Sequence, residues 1–167
     1  DNLKQPEYET LPKQRHLIES TGKYSVYEGG LRVPLIIRWS GLQARIIDEP
    51  AIMMDLYPTL IEIAGRSALP NDGESLLKLL NGGQRAGDTF HFYRPNNSYG
   101  AIRWQNWKLH FGTDFEPIAL YHLTTDSAEN NNLLDEQPEI TAHLIELARD
   151  FDEQAQGMWI YLPIVGK

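Results

Sequence analysis

The sequence predicts an α/β segment over residues 1–85 followed by an α+β subdomain over residues 86–167, in which a four-stranded antiparallel sheet carries a packed C-terminal helix. Three observations predict it. A short apolar run rich in β-branched residues, Val33 to Trp39, precedes a punctuated helix from Asp55 to Gly65, as in an α/β layer. From Phe90 onward the hydrophobic period changes to short aromatic or β-branched runs separated by turn residues. Helical periodicity returns at Pro138 only after those runs are complete.

Taken in order, residues 4–21 are polar and broken by Pro6 and Pro12, which predicts a loop crossing the face of a site. His16 lies in this loop and is a candidate contact for an anionic substrate. Lys23 follows Gly22, so backbone and ligand can approach closely beside a point charge. Gly29-Gly30 permits positive φ before the expected buried strand Val33–Trp39, and the loop bearing Lys23 can then fold back toward the strand end. Strand ends are where α/β folds place their sites.

In the next helix Asp55 is the expected N-cap, Pro58 falls in the first turn and Gly65 is the expected C′ residue. Leu56, Leu60, Ile63 and Ala64 repeat at helical spacing as its buried face. Asn71-Asp72-Gly73 is a turn, and Ser75 to Leu80 is a short helix ended by Gly82-Gly83. The Gly-, Gln-, Arg- and Asp-rich stretch 81–89 marks the boundary between the two layers. The strands then follow at Phe90–Tyr93, Tyr99–Trp104, Trp107–Phe111 and Ile118–Leu123, with turns at Asn96-Asn97-Ser98, Gln105-Asn106 and Gly112-Thr113-Asp114. The last helix opens on Pro138 and carries the stripe Ile140, Leu144, Leu147 and Phe151.

The totals narrow the function. The chain has 167 residues, 41% hydrophobic and 23% charged, which is globular composition. A net charge of −8 argues against a nucleic-acid backbone as partner. A locally positive pocket for a small anion remains compatible with it. With no cysteine, disulfides, thiolate metal sites and cysteine nucleophiles are excluded within these residues. No apolar run reaches the length of a membrane span.

Lys23 with Tyr27-Glu28-Gly29-Gly30-Leu31-Arg32-Val33-Pro34 resembles the segment shared by type I sulfatases of the arylsulfatase family, within the alkaline phosphatase superfamily. Asp55-Leu56-Tyr57-Pro58-Thr59 resembles a helix that packs on the sulfatase catalytic sheet. Trp107-Lys108, Leu120-Tyr121-His122-Leu123 and the following Asp126, Glu129, Asn132 and Leu133 resemble the family's C-terminal subdomain. The family more often has Asp at the position of His122 and Pro at that of Ser127. The resemblance runs to about Phe151. It implies that residues 1–85 are the tail of a sulfatase catalytic domain, that Lys23 binds the sulfate group, and that Asp1 and Asn2 ligate a divalent cation, usually Ca²⁺. The pair departs from the family's usual Asp-Asn-Gly, since Leu3 follows.

The resemblance further implies a formylglycine nucleophile, made from the first residue of Cys/Ser-x-Pro-x-Arg. No serine of this sequence begins that motif. The expected identity is therefore the C-terminal fragment of a sulfatase acting on sulfate esters of carbohydrates, inactive alone and, by resemblance, periplasmic or secreted. The partner implied is a sulfated small molecule or glycan. His91, Arg94, Asn96 and Asn97 cluster on one expected hairpin and are further candidates for substrate contact. Two rival classes stand beside this one: a metal-dependent phosphoryl or phosphonate hydrolase of the same superfamily, and a non-catalytic binding module. Self-association is expected through an incomplete sheet or through the apolar tail 157–167.

Overall fold

The computed structural model describes residues 25–93 and 100–156. In chain order its elements are α1 (Glu28–Leu31), a 3₁₀ turn (Met53–Asp55) running into α2 (Leu56–Ile63), α3 (Leu77–Leu80), β1 (Thr89–Tyr93), β2 (Gly100–Trp104), β3 (Trp107–Phe111), a 3₁₀ turn (Thr113–Phe115), β4 (Pro117–His122) and α4 (Pro138–Gln156). They divide into two compact units, one of residues 25–33 with 89–156, the other of residues 34–88.

The first unit is the predicted meander, with strand order β1-β2-β3-β4 and every neighbouring pair antiparallel. Its alternation sorts the strands into two faces. Ile102, Leu109 and Leu120 lie opposite one another across β2, β3 and β4. With Phe111 they pack against Leu144 and Ala148 of α4, all buried. Burying one such leucine stabilises by roughly 1.5–3 kcal/mol. Gln105 takes a left-handed φ of 54° in the two-residue turn that brings Trp104 opposite Trp107.

The opposite face is also covered. Ala101 and Ala119 flank His110 across the ladder. These small residues leave room for another segment to approach the sheet there. Residues 25–31 fill it: Val26 packs on Ala101, and Tyr27 packs on Ala119 and Tyr121.

The second unit is built around α2. Gly65 takes a φ of 69°, as a left-handed helix terminus requires. Asn71 Oδ1 accepts the Gly73 N–H at 2.9 Å, forming the predicted turn. A Cβ on Gly73 would stand 2.1 Å from the Met54 carbonyl oxygen, so the residue is fixed by close approach of backbone to backbone. Gly73→Ala is expected to destabilise by about 1–3 kcal/mol, seen as a lower melting temperature in thermal unfolding.

Three expectations of this region are corrected. Val33–Trp39 is not a buried strand: Val33 is 75% and Ile36 89% exposed, and no strand among the described residues pairs with the run. β-branched composition favours a pleated surface only where a neighbouring strand completes it. Gly29 and Gly30 do not take positive φ but lie inside the turn of α1. Leu60 of α2 is 64% exposed, while Pro58 and Thr59 are buried, because the unit packs on the side from which Asp55 projects.

Candidate functional site

Of the sequence-predicted site residues, Asp1, Asn2, His16, Lys23, Arg94, Asn96 and Asn97 lie outside the described residues. So does the tail 157–167, through which self-association was expected. The backbone of His91 lies in β1 opposite Ile102. Ser25–Leu31 are the described residues closest in sequence to Lys23, separated from it by Tyr24 alone. How that segment is held is defined by side chains that are all described.

It is held by buried charge. Lys108 and His110, on alternate positions of β3, project to the face covered by residues 25–31, and both are fully buried. Lys108 Nζ donates to Glu28 Oε1 at 2.8 Å and lies 3.0 Å from Glu129 Oε1. The same Glu129 oxygen stands 2.8 Å from His110 Nε2, and Oε2 accepts the Glu28 backbone N–H at 2.6 Å. The Tyr27 ring lies over His110, with centroids 4.4 Å apart. Tyr121 stands edge-on to the same imidazole, with centroids 5.4 Å apart. One carboxylate thus joins a strand lysine, a strand histidine and the first N–H of α1.

The loop that delivers Glu129 is braced at both ends. Asp126 Oδ2 accepts the N–H groups of Asn130 and Asn131, each at 2.8 Å. Asn132 Oδ1 accepts the N–H groups of Leu120 and Leu134, each at 3.0 Å. Between these braces Glu129 takes a φ of 54°, the left-handed region that non-glycine residues seldom occupy.

Electrostatics follow from this geometry. Burial and the neighbouring Lys108 charge hold the His110 imidazole below its usual range, against the pull of Glu129. A neutral ring beside a carboxylate donates, which puts the His110 proton on Nε2. Burial by itself would raise Glu129, but the His110 hydrogen bond and the Lys108 charge outweigh it and keep the group below the usual carboxylate range. Burial, with the Tyr27 and Glu129 oxygens nearby, pushes Tyr121 up, so it stays a phenol.

Both depressed groups give the same sign. As pH falls past the ordinary histidine value of about 6.5, the unfolded chain takes up a proton that folded His110 resists, and stability declines. Below about 4.3 Glu129 adds a second loss by the same linkage. The melting temperature is expected to fall as pH is lowered from 7 to 4, and His110→Gln is expected to flatten the upper part of that curve.

A second buried cluster lies in the unit of residues 34–88. Asp55 is fully buried and accepts Arg85 Nη1 at 2.5 Å and Nη2 at 3.3 Å. It also accepts the N–H of Ile52 at 2.8 Å and that of Glu74 at 2.9 Å. Burial opposes its charge, and these donors outweigh the burial and hold it below the usual carboxylate range. Asp55 was expected as the cap of α2. Instead it bonds back to Ile52 and across to Glu74 and Arg85, which makes it the brace of this unit.

Sequence reasoning marked Lys108 and Glu129 only through resemblance and missed His110 and Glu28 as partners. The available signal was the polar pair at alternate positions of Trp-Lys-Leu-His-Phe, which simple alternation assigns to solvent. Among the described residues no group of three or more His, Asp or Glu side chains is arranged to hold a metal ion. No helix among them is long and apolar enough to cross a membrane.

Comparison with known proteins gives a consistent result. The family model described as N-sulphoglucosamine sulphohydrolase, C-terminal, matches residues 21–156. Steryl-sulfatase of Homo sapiens is 42% identical over 111 residues, covering 58% of this chain and 19% of that protein. Arylsulfatase K of Mus musculus is 32% identical over 143 residues, covering 76% of this chain and 26% of that protein. Arylsulfatase A of Bos taurus is 32% identical over 161 residues, covering 78% and 32%. The chain thus spans between 19% and 32% of the length of these three relatives. Among solved structures, a sulfatase from Bacteroides thetaiotaomicron VPI-5482 shares the fold with a TM-score of 0.51 and 23% identity, covering 61% of this chain and 24% of that one.

Proposed function

Since the chain belongs to the N-sulphoglucosamine sulphohydrolase C-terminal family and is the C-terminal portion of a type I sulfatase, we propose that it completes an enzyme hydrolysing sulfate esters of carbohydrates. The supporting observation is the family match from residue 21 to 156, which takes in Lys23 together with the clamped segment behind it. In this reading residues 1–85 are the tail of the catalytic α/β domain and residues 86–167 its C-terminal subdomain, with residues 25–33 packed in one unit with the subdomain's sheet. The Lys23 ammonium holds a sulfate oxygen and offsets charge moving to the leaving group. The nucleophile is a formylglycine contributed by sequence outside these 167 residues, so the 167 residues alone turn over no ester.

Asp1 and Asn2 offer a carboxylate and an amide carbonyl, hard oxygen donors of the kind Ca²⁺ prefers. They fit the cation by chemistry, with its remaining ligands supplied from outside this chain. When bound, Ca²⁺ polarises the sulfate group. The sulfated partner reaches the enzyme in the periplasm or outside the cell.

The test is Lys23→Ala in the full-length enzyme, assayed with an aryl sulfate and with sulfated monosaccharides. A fall in kcat/KM of about 10²–10³ is expected, the size of effect seen when one preorganised charge donor is removed. Retention of at least half the activity would overturn the role of Lys23. Faster turnover of phosphate or phosphonate monoesters than of sulfates would overturn the reaction class.

A further inference from the structure

Residues 25–31 lie outside the four-stranded ladder and rest on one face of it. Gly30 and Leu31 donate to the Tyr27 carbonyl and Arg32 to that of Glu28, bonds that close the turn of α1 on itself. The segment meets the sheet through Val26 on Ala101, Tyr27 on Ala119 and Tyr121, and Glu28 with Lys108 and Glu129. The core of Ile102, Leu109, Phe111, Leu120, Leu144 and Ala148 belongs to the other face. Lifting the segment therefore leaves that core, the ladder and α4 in place. A piece with few buried apolar contacts of its own opens at a lower free energy than the whole fold.

What such an opening uncovers can take up protons. The Tyr27 ring covers the fully buried His110, with centroids 4.4 Å apart. Lys108 of the same strand, Tyr121 of β4, Glu129 of the following loop and Glu28 of α1 surround the imidazole. Asp126 lies near Tyr121, and the Phe92 ring of β1 is centred 6.0 Å from Lys108 Nζ. While the segment is down, His110 Nε2 donates to Glu129, and a second ring proton would be a buried charge beside the Lys108 ammonium. Once it is lifted, water solvates the ring, which then titrates at its ordinary value of about 6.5, and Glu129 at about 4.3. We propose that residues 25–31 form an acid-released strap, which lifts from the sheet as the uncovered His110, and at lower pH Glu129, takes up a proton. By linkage the opening constant rises as pH falls through about 6.5, because the open state binds a proton that the closed state refuses. The proposal is independent of the role of Lys23.

Hydrogen exchange of the full-length enzyme tests it, read by mass spectrometry at several pH values and corrected for intrinsic exchange. Peptides covering residues 25–31 are compared with peptides from β2 and β3. The strap amides are expected to exchange faster than the ladder at every pH and to ignore low denaturant, as a local opening does. Their opening constant should rise about tenfold between about pH 7.5 and about pH 5, the size expected when one histidine protonates on opening. His110→Gln, whose amide can still donate to Glu129, should cut that rise to less than about twofold. Strap and ladder amides exchanging at one common rate would show that the segment opens only with the whole fold, and overturns the proposal. An opening constant that does not change with pH in the parent enzyme overturns it as well, as does an undiminished rise in His110→Gln. Should His110→Gln not fold, the parent enzyme decides alone, since the rate comparison and the pH dependence are both read on it.

Discussion

Lys108→Met is expected to destabilise the protein by about 3–5 kcal/mol, the cost of leaving buried charge without its partner. Methionine keeps most of the side-chain volume, so packing of β3 is nearly preserved and the effect is electrostatic. Glu28 and Glu129, which Lys108 bridges at 2.8 and 3.0 Å, would then face each other with no cation between them. The variant should therefore show a second signature. Losing the cation removes one of the interactions that hold Glu129 down, so the penalty relative to the parent should shrink as pH is lowered from 7 toward 4. Parallel chemical denaturation at several pH values measures both effects. A pH-independent penalty would mean that lost packing, not unpaired charge, is responsible.

Arg85→Met should be of comparable size, about 3–5 kcal/mol, and for the same reason in a different place. It removes two of the four hydrogen bonds that hold the fully buried Asp55 carboxylate. The remaining two come from the backbone N–H groups of Ile52 and Glu74, which also fix the turn before α2 and the loop after Gly73. Asp55→Asn in the Arg85→Met background removes the unpaired charge but should recover little of the loss, since Ile52 donates to Oδ2 and Glu74 to Oδ1 and an amide keeps only one of those acceptors. A single Arg85→Met melt indistinguishable from the parent would show that the carboxylate is not dependent on that guanidinium.

The comparison between sequence and structure divides along the range of the forces involved. The four strands were legible because each is a local run of aromatic and β-branched residues closed by its own turn, as with Trp104-Gln105-Asn106-Trp107. α4 was legible because Pro138 opens it and its leucine stripe is periodic within one element. The clamp was not, because Lys108 finds Glu28 across 80 positions and Glu129 finds Glu28 across 101. Alternation assigns Lys108 and His110 to the polar face but cannot report that a separate segment covers that face. Val33–Trp39 failed in the opposite way. Its composition states a preference that only a neighbouring strand can satisfy, and the described residues contain none for it. Of the candidate site, the sequence supplied Lys23 and its metal-site companions by resemblance, while the structure supplied the anchorage next to Lys23.

The span of that anchorage bears on how the protein is made. Glu28 leaves the ribosome long before the carboxylate that caps it, and at about 5–20 residues per second the wait is roughly 5–20 s. Throughout it, Val26 and Tyr27 have no sheet to lie on, since Ala101, Ala119 and Tyr121 are all made later. The newborn segment is thus an early-synthesised, late-docking piece, and nascent-chain protease sensitivity around Ser25–Leu31 should persist until the loop bearing Glu129 has emerged.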